Sequence, residues 1–337
     1  PSLNHNLKSV PLVLTGNTPS LSFPTLLVPA CLYRSLVSGL RRGKLRMIVG
    51  SRPRFRQIVR EVWKPLTVLF LWDVAVTIFH FQTQFKEPPL PAALLGSALA
   101  LFLGFRTNAA YARWWEARAV WGALINASRT LARMTGSMIK QPEIRDGMLI
   151  RQIAFAHAMR CALRGEPLRP DITRLLGADA AGAALKRKNP AHALTEQIST
   201  LIGEAHDNGA LNAVQQASLE RVMTDIANAQ GGMERIKNTP LPNGFRFIPN
   251  FFTRLFCVIL PITLVEALGI YTPVGSTLIG LIFLAALSIG EDLSDPFANS
   301  VHDVPMSGMA RTIEIDLLES MGREAPPKLE PVNGVLW

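Results

Sequence analysis

Four segments of this chain are apolar and carry almost no charge: residues 65–81, 90–105, 251–270 and 274–289. An α-helix rises 1.5 Å per residue, so a full bilayer span takes about 20 residues, with a lower end near 17. The second and fourth segments have 16 residues each. Helices of that length fit best inside a bundle or around a water-filled path, where lipid does not set their length. The third segment contains Pro261, which predicts a break there. Lys86-Glu87-Pro88-Pro89 links the first pair and Tyr271-Thr272-Pro273 the second. Such short links predict antiparallel helical hairpins.

Between the hairpins the pattern changes. Residues 106–249 read as polar helices punctuated at Gln141-Pro142, Arg164-Gly165-Glu166-Pro167, Asn189-Pro190 and Asn208-Gly209. The last of these helices carries Leu219, Val222, Met223 and Ile226 at i, i+3, i+4 and i+7, one apolar face. No alternating strand pattern of useful length occurs. The fold class predicted is an all-α membrane protein with four transmembrane helices and a large helical region in water. Its parts are residues 1–61, a basic segment; 62–105, the first hairpin; 106–249, the helical domain; 250–290, the second hairpin; and 291–337, the C-terminal segment.

Composition agrees with a mixed protein. Mean hydropathy is +0.21 and 48% of residues are hydrophobic, too apolar for an ordinary soluble domain and too charged for a chain wholly in lipid. The net charge of +10 admits nucleic acid or positive loops facing the cytoplasm. The distribution favours loops. Ten Lys or Arg and a single acid lie between Arg34 and Lys64, and residues 106–246 are again rich in Arg and Lys, whereas the two hairpin links are nearly free of positive charge. By the positive-inside rule both termini and the middle region are cytoplasmic, in a multi-pass protein of the cell (inner) membrane. Residues 1–60 lack any acid. They could be a targeting peptide, an extension upstream of a start at Met47, or a basic cytoplasmic arm; without a cleavage pattern, the last two are preferred. Cys31, Cys161 and Cys257 imply neither a disulfide framework nor a zinc site.

Several residue sets could carry function. Ser97, Leu101 and Phe105 fall on one helical stripe at i, i+4 and i+8. Gly96, Ala98, Ala100 and Gly104 keep other faces small, permitting close helix approach. The stripe is either a hydrophobic constriction that gates a pore by dewetting or ordinary apolar packing. Arginine and tryptophan crowd residues 104–118. Trp114, Trp115 and Trp121 suit an interfacial belt or a helical core, and Arg113 and Glu116 are spaced to pair. Two acids fall inside apolar segments. Asp73 is placed to face the bundle interior and pair with a serine, His80 or a backbone group, and Glu266 is near enough to an end to reach water. The acids Glu291, Asp292, Asp295, Asp303, Glu314 and Asp316 lack the spacing of a calcium loop. The histidines (His5, His80, His157, His192, His206, His302) are scattered, so no metal cluster is expected. No nucleophile elbow, P-loop or dinucleotide fingerprint is present, which argues against an enzyme.

Three separated stretches, in order, resemble the bestrophin family in its bacterial branch: residues 104–118; Glu234-Arg235-Ile236-Lys237-Asn238-Thr239-Pro240-Leu241-Pro242; and residues 291–297. The similarity covers roughly residues 47–320. The signature positions are Arg113, Trp114, Trp115, Glu116, Thr239, Pro240, Glu291, Asp295, Pro296 and Phe297. The resemblance implies a homopentamer with a central pore, four membrane helices per subunit and a large cytoplasmic helical region. Family members conduct chloride and other anions in animals and plants, while some bacterial members are similar to monovalent-cation channels. Phe105 and Leu101 match the family's neck positions, and Ser97 matches a third where an apolar side chain is typical. The partners implied are a second copy of the chain, the lipid bilayer and small inorganic ions, with no nucleic acid. In animal members an acidic run after the Pro-Phe clasps calcium. Here that run is Asn299-Ser300-Val301-His302-Asp303, with Asp303 alone acidic, so no cofactor and no calcium activation are expected. A sodium-selective channel, a secondary transporter using Asp73 or Glu266, and a membrane-tethered adaptor are the competing functions.

Overall fold

The computed structural model describes residues 55–83, 91–300 and 302–331. The expected basic arm up to residue 54, with His5 and Cys31, and the Lys86–Pro89 link lie outside the described residues. Within them the chain is helical: α1 Phe55–Thr83, α2 Ala92–Met138, α3 Pro142–Arg164, α4 Arg169–Leu185, α5 Pro190–Asp207, α6 Ala213–Asn238, α7 Asn243–Leu268, α8 Thr272–Asp292 and α9 Met306–Ser320. No strand occurs among the described residues.

The breaks fall where backbone chemistry demands them. Pro142 and Pro190 sit in the first turns of α3 and α5, where a missing N–H costs nothing. Gly165, at φ 69°, closes α3 in the left-handed conformation that glycine adopts freely. Asn212 and Gln215 form a reciprocal capping box at the start of α6. A glycine with φ 77°, Gly177, breaks the helical backbone within α4.

Two expectations need correction. Pro261 does not break its segment. Helix α7 runs unbroken from Asn243 through Pro249 and Pro261 to Leu268. Each proline forfeits one helical hydrogen bond, which packing against neighbouring helices offsets in an apolar setting. The reversal that follows is also earlier than Tyr271-Thr272-Pro273. It is a 3₁₀ turn at Gly269–Tyr271, and Thr272 and Pro273 already belong to α8.

Packing divides the helices into two groups. In the apolar group α1 lies against α7 and α8, and the first third of α2 also packs on α7 and α8. Its cores are small: Leu99, Leu103, Phe256, Leu260 and Leu287 in one cluster, Leu69, Cys257 and Leu284 in another. Close approach rests on glycine. A Cβ on Gly280 would collide with Leu69 Cδ2. Three stretches, Trp63–Thr83, Ala92–Met138 and Asn243–Asp292, are long and apolar enough to cross a membrane, the last folding back on itself at the 3₁₀ turn. Their outer faces leave Val68, Leu71, Leu278 and Ile282 about 60% exposed or more. So much exposed apolar surface calls for lipid or another chain.

The polar group has a conventional core. The rest of α2 packs on α6, α3 on α5, and α9 on both α2 and α3. Trp121, Leu124, Leu131, Phe155, Ile198, Leu219, Ile226 and Met233 are fully buried there. Each such side chain contributes about 1.5–3 kcal/mol by leaving water. The predicted α6 face, Leu219, Val222, Met223 and Ile226, is the face that is buried. Helix α2 belongs to both groups. At 1.5 Å per residue it is roughly 70 Å long, and its 47 residues carry no non-helical dihedral.

Candidate functional site: an uncharged helix face and its brace

Helix α2 is held on one side and open on the other. Leu99, Leu103, Arg106 and Ala110 are buried against α7 and α8. Ser97, Leu101 and Phe105 stand on the opposite side, with Leu101 61% and Phe105 63% exposed. The periodicity that buries one stripe turns the other outward. Asn108, Ala112 and Trp115 continue the exposed stripe. Ser97 Oγ donates to its own helix, to the Leu94 carbonyl at 2.9 Å, so its polarity is partly turned inward. Over three turns the face presents no charge.

Just beyond that stretch the signature residues converge, and they brace elements together. Arg113 reaches from α2 to the end of α6, where its guanidinium donates to the carbonyls of Ile236 and, at 2.6 Å, Thr239. Those are carbonyls a helix terminus leaves without intrahelical donors. Burial lowers the Arg113 pKa, and the nearby carboxylates of Asp295 and Glu116 oppose that shift. The expected Arg113–Glu116 pair is not formed. Glu116 instead pairs with Arg235, because Arg113 is drawn across to the carbonyls of α6. Thr239 and Pro240 are exposed at that corner.

Residues 291–297 form the other half of the brace. Glu291 Oε1 accepts from Asn250 Nδ2 at 2.9 Å and lies 3.6 Å from Arg106, which is itself buried. Arg106 also donates to the Leu287 carbonyl at 3.4 Å. A Cβ on Gly290 would come within 3.2 Å of Thr107 Oγ1, so glycine lets α2 and α8 meet here. Asp295 pairs with Lys237 at 3.4 Å and accepts from the Phe297 N–H. Phe297 is fully buried in the polar core, and Pro296 is buried beside it. The tryptophans divide: Trp121 is core, Trp114 donates to the His302 carbonyl at 2.8 Å, and Trp115 is exposed.

The two acids of the apolar segments also divide. Glu266 is exposed. Asp73 is fully buried, and its Oδ2 accepts from Thr277 Oγ1 at 3.0 Å. The hydroxyl neighbours come from α8, since α1 turns Asp73 toward it: Thr277, which the sequence did not suggest, and a serine, Ser276, beside the same carboxylate. Asp303 is tied up locally: its two oxygens accept from Ser300 N–H and Oγ at 2.8 and 2.7 Å. Burial raises its pKa, against those hydrogen bonds. Among the described residues no group of three His, Cys, Asp or Glu could hold a metal ion.

Residues 44–319 match the family model of the bacterial/fungal bestrophin protein. This chain is a bestrophin. It is 35% identical to the voltage-dependent anion channel-forming protein YneE of Salmonella typhi over 81% of this chain and 91% of that protein. The protein mll4386 of Mesorhizobium japonicum, which bears the same description, is 35% identical over 87% of this chain and 97% of its own. Among solved structures, a bacterial bestrophin homolog from Klebsiella pneumoniae superimposes with a TM-score of 0.75 at 30% identity, covering 78% of this chain and 99% of that one. This bestrophin's signature residues therefore have a physical role. They lock α2, α6 and α8 where the apolar and polar groups meet. Sequence reasoning placed Arg106, Arg235 and Lys237 within the family stretches without giving them a role, and missed Asn250. Arg106 had a visible signal, as the first charge after the uncharged run. The others are polar residues of ordinary type whose partners lie far along the chain.

Proposed function

We propose that this bestrophin is a homopentameric anion channel of the inner membrane, with four crossings per subunit and both termini cytoplasmic. Five copies of the open α2 face enclose the pore, and Leu101 and Phe105 form its narrowest, hydrophobic neck. Helices α1, α7, α8 and the first part of α2 cross the bilayer. The remaining helices form the cytoplasmic body.

The observation that carries this is the two-sidedness of α2. A helix packed within its subunit through Leu99, Leu103 and Arg106 still offers a continuous uncharged stripe to something outside it. Rings of leucine and phenylalanine can hold a pore dry when closed. Membership in the bestrophin family and the anion-channel description of its relatives supply the ion class. A neck without charge discriminates little by sign, so the net positive charge of the chain is what concentrates anions near the inner mouth.

The test is recording from purified protein in planar bilayers. Unitary steps are expected, with a reversal potential in an NaCl gradient set by chloride. Replacing both Leu101 and Phe105 with Ala should raise open probability. A reversal potential set by sodium would overturn the anion assignment. Gating unchanged in the double variant would remove the neck.

A further inference from the structure

Hydroxyls in these helices usually donate to a carbonyl a turn back on the same helix, as Thr67, Thr77, Thr83 and Ser97 do. Ser276 does not. Its Oγ is fully buried, lies beside the Asp73 carboxylate, and has no hydrogen bond of good geometry to any group among the described residues. Asp73 is in the same condition. Thr277 satisfies Oδ2, while the equally buried Oδ1 has no partner among the described residues. Asp73 has no ion pair there either, since no Lys or Arg reaches it. One more polar group is close, the Cys257 thiol. Cys257 is buried, and its thiol lies near enough to Asp73 to feel its charge.

A carboxylate buried at this depth has to be neutralised, because a lone charge in an apolar medium is far too costly. Beside the Cys257 thiol, the groups here are hydroxyl and carboxyl oxygens, the donors hard cations take. A single carboxylate balances a single positive charge, whereas a divalent ion would leave a net charge in the apolar group. We propose that Asp73, Ser276 and Thr277 bind one sodium ion inside each subunit, between α1 and α8. The ion ties the two helices chiefly through Asp73 Oδ1 and Ser276 Oγ, the two buried oxygens left without a partner among the described residues. The site faces the subunit interior, away from Ser97, Leu101 and Phe105, so it does not depend on the pore assignment.

The test is thermal unfolding of the purified protein with NaCl exchanged for choline chloride at constant chloride. Wild type should gain a saturable rise in Tm with sodium. Asp73→Asn should abolish the rise, and Ser276→Ala should move half-saturation to several-fold higher sodium. Glu266→Gln, at the exposed acid of the same group, should keep the wild-type response. A wild-type Tm indifferent to sodium, or an Asp73→Asn protein that responds as wild type does, would overturn the proposal in favour of a protonated Asp73. Should Asp73→Asn not fold, an unchanged half-saturation in Ser276→Ala overturns it alone.

Discussion

Buried charge in the polar group is concentrated at Glu314. Its carboxylate is fully buried, hydrogen bonded to His157 at 3.0 Å and paired with Arg174 at 2.9 Å and Arg311 at 3.4 Å. Burial alone would raise its pKa, but the His157 hydrogen bond and the charges of His157, Arg174 and Arg311 outweigh burial and hold it to about 2, against an ordinary 4.5. A folded-state pKa below the unfolded one means stabilisation present above pH ~4.5 and lost as pH falls through ~2. Tm measured from pH 5 to pH 2 should therefore fall, and fall less steeply in Glu314→Gln. At pH 7 that variant should lose on the order of 2–3 kcal/mol, less than for a wholly enclosed pair because Arg174 is half exposed. Arg113 makes a second residue-scale prediction. Lysine lacks the fork that reaches two carbonyls at once. Arg113→Lys should cost about 1–3 kcal/mol, read as a lower Tm, with a milder loss in Glu116→Gln.

At the scale of elements, the sequence was most legible where proline and glycine punctuate polar helix. The last turn of α3 fell at Gly165, and the two ends of α5 at Asn189-Pro190 and Asn208-Gly209, because the backbone there leaves no alternative. The same rule misled at Pro261, where the cost of a lost hydrogen bond is real but tertiary packing decides. Side-chain pairing was less legible still. Spacing matched Arg113 to Glu116, but Arg235 and the carbonyls of α6 compete from more than 110 positions away, and no local pattern shows that. Asp73 was visible as a charge in an apolar run, yet Thr277 lies 204 positions on. The glycines of the apolar group lead to a prediction. Gly280→Val should force α1 away from α8, because the added atoms fall on Leu69, and overpacking of this kind costs about 1–3 kcal/mol. The measurement is detergent-phase thermal stability, and Gly136→Ala, where a Cβ meets nothing within 4 Å and alanine is the better helix former, is the control expected to lose none.

For the whole molecule, one group of helices is apolar on its outside, the other has a conventional core, and the signature brace joins them. The comparison with animal bestrophins gives a prediction at this scale. With Asp303 alone acidic in the stretch 299–303, and its oxygens already taken by Ser300, micromolar calcium should leave bilayer currents unchanged. A current that rises with calcium and is lost in Asp303→Ala would show a clasp after all. Breaking the brace should act differently from opening the neck. Glu291→Gln loosens the hold on Arg106 and Asn250, so it should lower thermal stability. Leu101→Ala should leave stability almost untouched, because that side chain has few neighbours within its own subunit.

Because α2 is one uninterrupted rod, its two ends share a fate. A rotation that swung Phe105 aside would also turn Trp121, four and a half turns further along, inside a core with no room to spare. Such a rod behaves like a crankshaft: whatever moves its far end also moves the end proposed to form the neck. Mutations in the water-facing core, distant from any ion, should therefore show up as altered opening.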